Sequence, residues 1–343
     1  MTRSARGPVM ADVAELAGVS HQTVSRVIND HPNVRQPTRM RVQAAIAELH
    51  YRPNRAARAL ATGTSRVVGV ICPRPLRSGL AEVLTALTEM ALRQGFTIAV
   101  ESVWTTDRRP LSEAVGRLLN QRVAGLVVIA SVEWVEDALD GIPEDVPLVR
   151  VGGDPRRPGP LVAVDQAAGA YEATRCLLDA GHRTVWHVSG PGGWFDTQGR
   201  LAGWQQALTE AGAEVPPLIP ADWQAASGYR AGRILGRIPD VTAVFAASDH
   251  LALGILRALH ECGRRVPRDV GVAGFDDVPE AAYFTPPLTT VRPDYDAVAA
   301  ASIDLLQAQI SAGYRVDDRR IIQPALITRA SVTSPRALRA LRA

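Results

Sequence analysis

The sequence predicts a multidomain α and α/β protein, and three features predict it. Two short amphipathic segments joined at a glycine lie within the first thirty residues, basic charge is confined to the same end, and a long alternation of β-branched runs with helical stretches follows. At 343 residues, 46% hydrophobic, the chain is long enough for two or three domains with sizeable cores.

Val13, Leu16 and Ala17, and then Val24, Val27 and Ile28, recur at helical spacing, so each half of the opening segment carries one apolar stripe. Gly18 stands where the first helix must stop, because a residue without Cβ enters the left-handed region freely. Ser20 fits an N-cap for the second helix. That pattern is a helix-turn-helix, with His21, Gln22, Ser25, Arg26 and Asn29 facing outward on its second helix. Gln bonds adenine bidentately in a major groove and Arg does the same to guanine, while Ser and Asn suit phosphates. A merely solvated polar face is the competing reading.

Charge favours the nucleic-acid reading. Residues 1–66 hold ten Arg against Asp12, Glu15, Asp30 and Glu48, a net +6, whereas the remainder is −3. Positive charge therefore accompanies the helix-turn-helix, as phosphate contact requires. The chain contains no Lys. Its N-terminus has no apolar stretch after its charges and no segment reaches the length of a membrane span, so a cytoplasmic location is expected. Cys72, Cys176 and Cys262 are odd in number and scattered, which suits small buried hydrophobes better than a disulfide or metal site. No metal or cofactor is expected.

A loop, Asp30 to Pro37, precedes a third helix with Thr38 as its expected cap and Val42, Ala45, Ile46 and Leu49 as its apolar stripe. Pro53 ends it. Residues 54–63 are good helix formers, but too few to be stable alone.

From Arg66 onward, runs at 67–71, 97–100, 125–129, 148–151, 184–188, 243–246 and 270–275 read as buried strands, separated by helical stretches at 80–94, 111–121, 167–180, 201–211 and 250–262. Such alternation implies parallel sheets covered on both faces. About seven βα units divide better into two lobes than one. Gly190-Pro191-Gly192-Gly193 follows a strand but lacks dinucleotide-loop spacing, and no nucleophile–base pair is apparent, so an enzyme is not expected.

The helix-turn-helix, Tyr51-Arg52-Pro53-Asn54 and Ala57-Arg58-Ala59-Leu60 together resemble the headpiece and hinge of the LacI/GalR family of transcriptional repressors, and the resemblance continues through the whole chain. It implies a headpiece over 1–53, a hinge helix and linker over 54–65, and a two-lobed, periplasmic-binding-protein-like domain over 66–333. One lobe would span 66–164 and 293–323, the other 165–292 and 324–333, with crossovers near Asp165, Arg292 and Gln323 and a short tail at 334–343. DNA contacts are implied for His21, Gln22, Thr23, Ser25, Arg26, Asn29, Asn54, Ala57 and Leu60, the last as a minor-groove wedge.

Arg200, Trp223, Asp276 and Tyr295 match effector-binding positions, in which an Arg–carboxylate pair serves hydroxyls and aromatic rings serve the C–H face of a sugar. A structural ion pair and ordinary core packing are the competing readings. Pro73 and Ser248 match two more effector positions, but these, like Pro293, depart from the family's residues and lose hydrogen-bonding reach. The family's usual effector is then a sugar or glycoside held differently. Ser334 to Leu338 resembles a linker to a tetramerising helix, and no heptads follow it, which implies a homodimer. The expectation is a repressor that binds a pseudo-palindromic operator on double-stranded DNA and is released by its effector. A corepressor-dependent regulator, or a sugar-binding protein without a regulatory role, are the alternatives.

Overall fold

The computed structural model describes residues 8–28, 31–51, 65–74, 78–104 and 109–332, and separates into two units, 1–65 and 66–343. Asn29, Asn54, Ala57, Leu60, nearly all of the hinge segment and the tail at 334–343 lie outside the described residues.

In the first unit, α1 (Met10–Ala17), α2 (His21–Ile28) and α3 (Gln36–Glu48) close around Val13, Ala14, Ala17, Val24, Val27, Val42, Ala45 and Tyr51. Gly18 ends α1 at φ 64°, and the Val19 N–H reaches back to the Ala14 carbonyl at 3.0 Å. With the Gly18 N–H bonded to the Glu15 carbonyl at 3.2 Å, this forms a Schellman-type stop. Ser20 Oγ accepts the Thr23 N–H at 3.2 Å, capping α2. Two expectations are corrected. Leu16 is exposed, because the buried stripe of α1 runs through Met10, Val13, Ala14 and Ala17 and leaves it one position outside. The third helix starts at Gln36 with Arg35 as N-cap, rather than after Thr38, since Pro37 in the first turn lacks only an N–H that has no helical partner there.

The second unit is built on two parallel sheets. The larger contains β1 (Val67–Arg74), β2 (Thr97–Trp104), β3 (Gly125–Ile129), β4 (Leu148–Val151), β5 (Leu161–Val164) and β11 (Arg319–Ile322), in the order β11-β5-β4-β3-β1-β2. Side-chain alternation divides β1 between two cores. Val68, Val70 and Cys72 pack against α4 (Ser78–Arg93) and α11 (Tyr295–Ala312), whereas Ile71 packs with α5 (Arg109–Asn120) and α6 (Glu133–Ala138). The buried Gln309 of α11 bonds both backbone groups of Leu148, at 3.0 and 2.9 Å, and so fixes helix to strand.

The smaller sheet runs β7-β6-β8-β9, from Ile219–Pro220, Trp186–Ser189, Ala243–Ala246 and Gly271–Ala273 respectively. Here α7 (Gln166–Asp179) and α8 (Phe195–Glu210) cover one face, while α9 (Ala225–Leu235) and α10 (Asp249–Glu261) cover the other. An antiparallel pair, β10 (Thr290–Arg292) with β12 (Ala325–Ile327), completes the unit. The chain passes between the two sheets' layers from β5 into α7, from β10 into α11 and from β11 into β12.

Candidate functional site

On α2, His21, Gln22 and Arg26 are exposed, while Thr23 and Ser25 are half-buried. The Thr23 hydroxyl is engaged with Ser20 Oγ at 2.9 Å, so Thr23 belongs to the helix cap as well as to the outer face. Three long polar side chains thus project from a helix whose apolar side is anchored by Val24 and Val27. This is the arrangement that lets a helix enter a major groove with its packing intact.

In the second unit, a cavity of about 380 Å³ opens where the carboxyl ends of strands from both sheets face each other. Ligands of open parallel sheets bind at such ends. Ile129, Val151 and Val164 line it from the larger sheet, with Leu80 of α4 and Tyr295 and Val298 of α11. The smaller sheet's side contributes Gln166, Asp196, Arg200, Gln224, Ser248, His250 and Asp276, together with Trp194 and Trp223. One wall is therefore nearly apolar and the opposite one rich in donors and acceptors.

Arg200 organises the polar wall. Its Nε donates to Gln166 Oε1 at 2.9 Å, Nη2 to Asp276 Oδ1 at 3.2 Å, and Nη1 to the Ala247 carbonyl. Its guanidinium lies 3.6 Å from the centroid of Phe275. Both members of the Arg200–Asp276 pair belong to the smaller sheet's side, so the pair does not bridge the lobes. Asp276 follows β9 at φ 109°, and Asp277 stands at φ 51° with its carboxylate held by Arg292 and Arg329 at 2.5 and 2.6 Å. Two consecutive non-glycine residues at positive φ cost energy that the surrounding bonds must offset.

Burial pushes the Asp276 carboxyl up to about 6 despite the opposing charge of Arg200, with Asp196 adding to the rise. Burial also raises Asp196 and holds Tyr295 well above the usual phenol range. Asp249, next to Ser248, is raised mainly by burial, and it receives the Thr290 hydroxyl at 2.5 Å and the Val278 N–H at 2.9 Å. Its work is to fasten the loop after β9 to the start of α10.

The two indoles form a corner, with ring centroids 5.8 Å apart and planes at 77°. Gly190 permits this, since a Cβ there would collide with Trp223 and Thr197 Oγ1. Gly190, the first residue after β6, thus serves tryptophan packing.

Of the residues expected at the effector site, Arg200, Trp223, Ser248, Asp276 and Tyr295 line this one cavity. Ser248 is also the N-cap of α10, accepting the Leu251 N–H at 3.3 Å. Pro73 is not among the lining residues. Alternation along β1 puts it with Ile71, toward α5 and α6. Pro293 lines a second cavity of about 590 Å³, bordered by Glu82, Glu89, Asp277, Asp294 and Asp296, which shares Asp276 and Tyr295 with the first. Glu82 is raised to about 7, first by burial and then by Asp276, Asp277 and Glu280. Sequence reading missed Gln166, Trp194, Asp196 and His250. Asp196 and Arg200 sit four residues apart on α8, a helical spacing that pairs them only once the helix is seen to start before Leu201.

Among the described residues no group of His, Cys, Asp and Glu is placed to hold a metal, and no helix is long and apolar enough to cross a membrane. Residues 9–54 match the model of bacterial regulatory proteins of the lacI family, and residues 174–332 match a periplasmic binding protein-like domain. The chain is 32% identical over 330 residues to the lactose operon repressor of Escherichia coli K12, covering 94% of this chain and 90% of that protein. It is 35% identical over 329 residues to the HTH-type transcriptional repressor PurR of Escherichia fergusonii, covering 94% and 96%.

Among solved structures, the lac repressor dimer bound to operator and the anti-inducer ONPF superposes with a TM-score of 0.87 at 31% identity, covering 96% of this chain and 100% of that one. A complex of the transcriptional regulator CelR with cellobiose gives 0.70 at 32% identity, covering 94% and 99%. With a helix-turn-helix unit, a two-sheet ligand-binding fold and relatives that are repressors rather than enzymes, the chain belongs to the lacI family of bacterial regulatory proteins.

Proposed function

We propose that this chain is a cytoplasmic transcriptional repressor that binds a pseudo-palindromic DNA operator as a homodimer and releases it when a carbohydrate or glycoside enters the cavity of the second unit. The observation that carries the reading is one chain holding both an exposed, basic recognition helix and a cavity walled by two sheets, with Arg200 and Asp276 beside paired indoles. Gln22 and Arg26 are assigned to base edges, and His21 adjoins them on the exposed face. Asn29, Asn54, Ala57 and Leu60 are assigned to further DNA contacts on the family's pattern. Two headpieces joined by a dimer must meet half-sites at fixed spacing, so operator symmetry follows protein symmetry.

The effector acts through linkage. A ligand that contacts both walls of the cavity favours the lobe arrangement that brings them together, and if that arrangement holds DNA less tightly, operator occupancy falls by the same factor by which DNA weakens the ligand. The test is a gel shift with a duplex carrying the palindrome nearest the protein's own coding sequence, repeated with candidate sugars. Specific binding reversed by a sugar supports the reading, whereas a sugar that tightens the complex makes the effector a corepressor. Failure to bind any specific duplex rejects the repressor assignment. Arg26→Ala should weaken the specific complex by about 1–3 kcal/mol, and unchanged binding would remove Arg26 from the contacts.

A further inference from the structure

The polar wall of the cavity carries more negative than positive groups. Arg200 is already committed to Gln166, Ala247 and Asp276, with its face against Phe275. Asp196 lies one turn earlier, in the first turn of α8, and its carboxylate accepts no hydrogen bond among the described residues. Arg200 is the charge that favours its ionised form, and burial outweighs it. An acid at a helix start can serve the helix dipole alone, but that role is met from solvent and needs no place in a cavity wall. Asp196 is half-buried in the cavity wall, and its acceptor sites are open to the space a ligand would fill.

We propose that Asp196 is a ligand-contacting residue that, with Asp276, restricts the effector to uncharged or amino-bearing polyols and rejects phosphorylated or carboxylated ones. The inference rests on the effector reading of this cavity. Vicinal hydroxyls donate to Asp196 and Asp276, and the indole corner receives a C–H face. A phosphate or carboxylate in the same place meets two carboxyl groups against one guanidinium, three of whose five N–H donors are already bonded. Among the described lining residues nothing supplies a second fixed cation, since His250 is the other basic side chain there.

The experiment is calorimetric titration of the full chain, at pH 7.5, with glucose, galactose, cellobiose and lactose, and with glucosamine, glucose 6-phosphate, galactose 6-phosphate, glucuronate and galacturonate. At least one neutral or amino sugar should bind, and the anionic counterpart of a bound monosaccharide should be weaker by about 100-fold. Asp196→Asn should weaken the neutral sugar about tenfold or more while narrowing its advantage over the anion. An anionic sugar that binds as tightly as its neutral counterpart overturns the proposal, and so does an Asp196→Asn protein with unchanged affinity. If no sugar of any class binds while the operator complex forms, the ligand class is wrong and the DNA-binding reading stands; loss of both rejects the function itself. If Asp196→Asn does not fold, the neutral–anionic comparison on the parent protein still decides.

Discussion

Replacing Asp276 by Asn should stabilise the protein at neutral pH while weakening its response to ligand. The Asp276 carboxyl is raised from 3.8 to about 6, mainly by burial, so the folded state holds its proton more tightly than the unfolded chain does. The cost is therefore absent well below pH 4, grows as the pH rises toward 6, and is constant above. By linkage it is about 1 kcal/mol at pH 4.5 and about 3 kcal/mol at pH 7.5. Asn keeps the shape and tolerates the φ of 109° about as well as Asp, and it stands in for the neutral acid beside Arg200. Urea unfolding of both proteins at the two pH values should then show Asp276→Asn more stable by up to about 3 kcal/mol at pH 7.5, with the gap closing to about 1 kcal/mol at pH 4.5. A variant less stable than its parent at pH 7.5 would mean that the attraction of Arg200 exceeds the burial cost and that the carboxylate is ionised well below 6. The same variant should lose sugar affinity, a trade of function for stability seen where a buried charge serves a ligand.

Three further outcomes follow from particular contacts. Gly190→Ala forces the Trp223 indole out of its corner, so it should destabilise by about 1–3 kcal/mol and weaken sugar binding in the same titration; unchanged affinity would detach Trp223 from the ligand. Gln309→Ala strands both the N–H and the carbonyl of Leu148 in the core and should cost about 2–4 kcal/mol in urea unfolding, while a loss below about 1 kcal/mol would show that these groups find other partners. Ser20→Ala removes the cap of α2 and should lower the stability of residues 8–51 by about 1 kcal/mol, read as faster amide exchange there with no change in the second unit.

The α/β class and most central strands are legible in the sequence because buried parallel strands read as unbroken apolar, β-branched runs, as in Leu126-Val127-Val128-Ile129 and Ala243-Val244-Phe245-Ala246. Strands at the margin are not. The edge strand β11 is Arg319-Arg320-Ile321-Ile322, half of it charged, and β7 is two residues long; neither carries a run to recognise. Helices α8 and α9 are mis-started or missed for a tertiary reason. A Cβ on Gly199 of α8 would strike Gln166 of α7, and Cβ atoms on Gly228 and Gly232 of α9 would strike the backbone of α10 at Leu251 and Ile255, so these helices pack closely at their glycines. Glycine lowers helix propensity in any local reading, and only packing against a neighbour reveals why it is there. The long α11 escapes because residues on most of its sides are buried, from Val298 to Gln309, which leaves weak amphipathic contrast.

At the cavity, the divergence between local rule and structure is itself informative. Arg200, Trp223, Ser248, Asp276 and Tyr295 are reached through family resemblance, and no periodicity in the chain would have joined them. Several of the acids around them break local rules, and most are compensated by the protein. Asp249 is bonded by Thr290 and Val278, and Asp277 by Arg292 and Arg329, so the positive φ and burial at those positions are held in place from within. Asp276 is bonded by Arg200, and neither that nor the charge of His250 offsets its burial, while Asp196 accepts no hydrogen bond among the described residues. Natural sequences keep such uncompensated groups where function needs them. Asp196 and Asp276, two of the acids that the fold leaves short of partners, face the same cavity beside the same guanidinium, and hydroxyl donors from a polyol are the partners that would complete both.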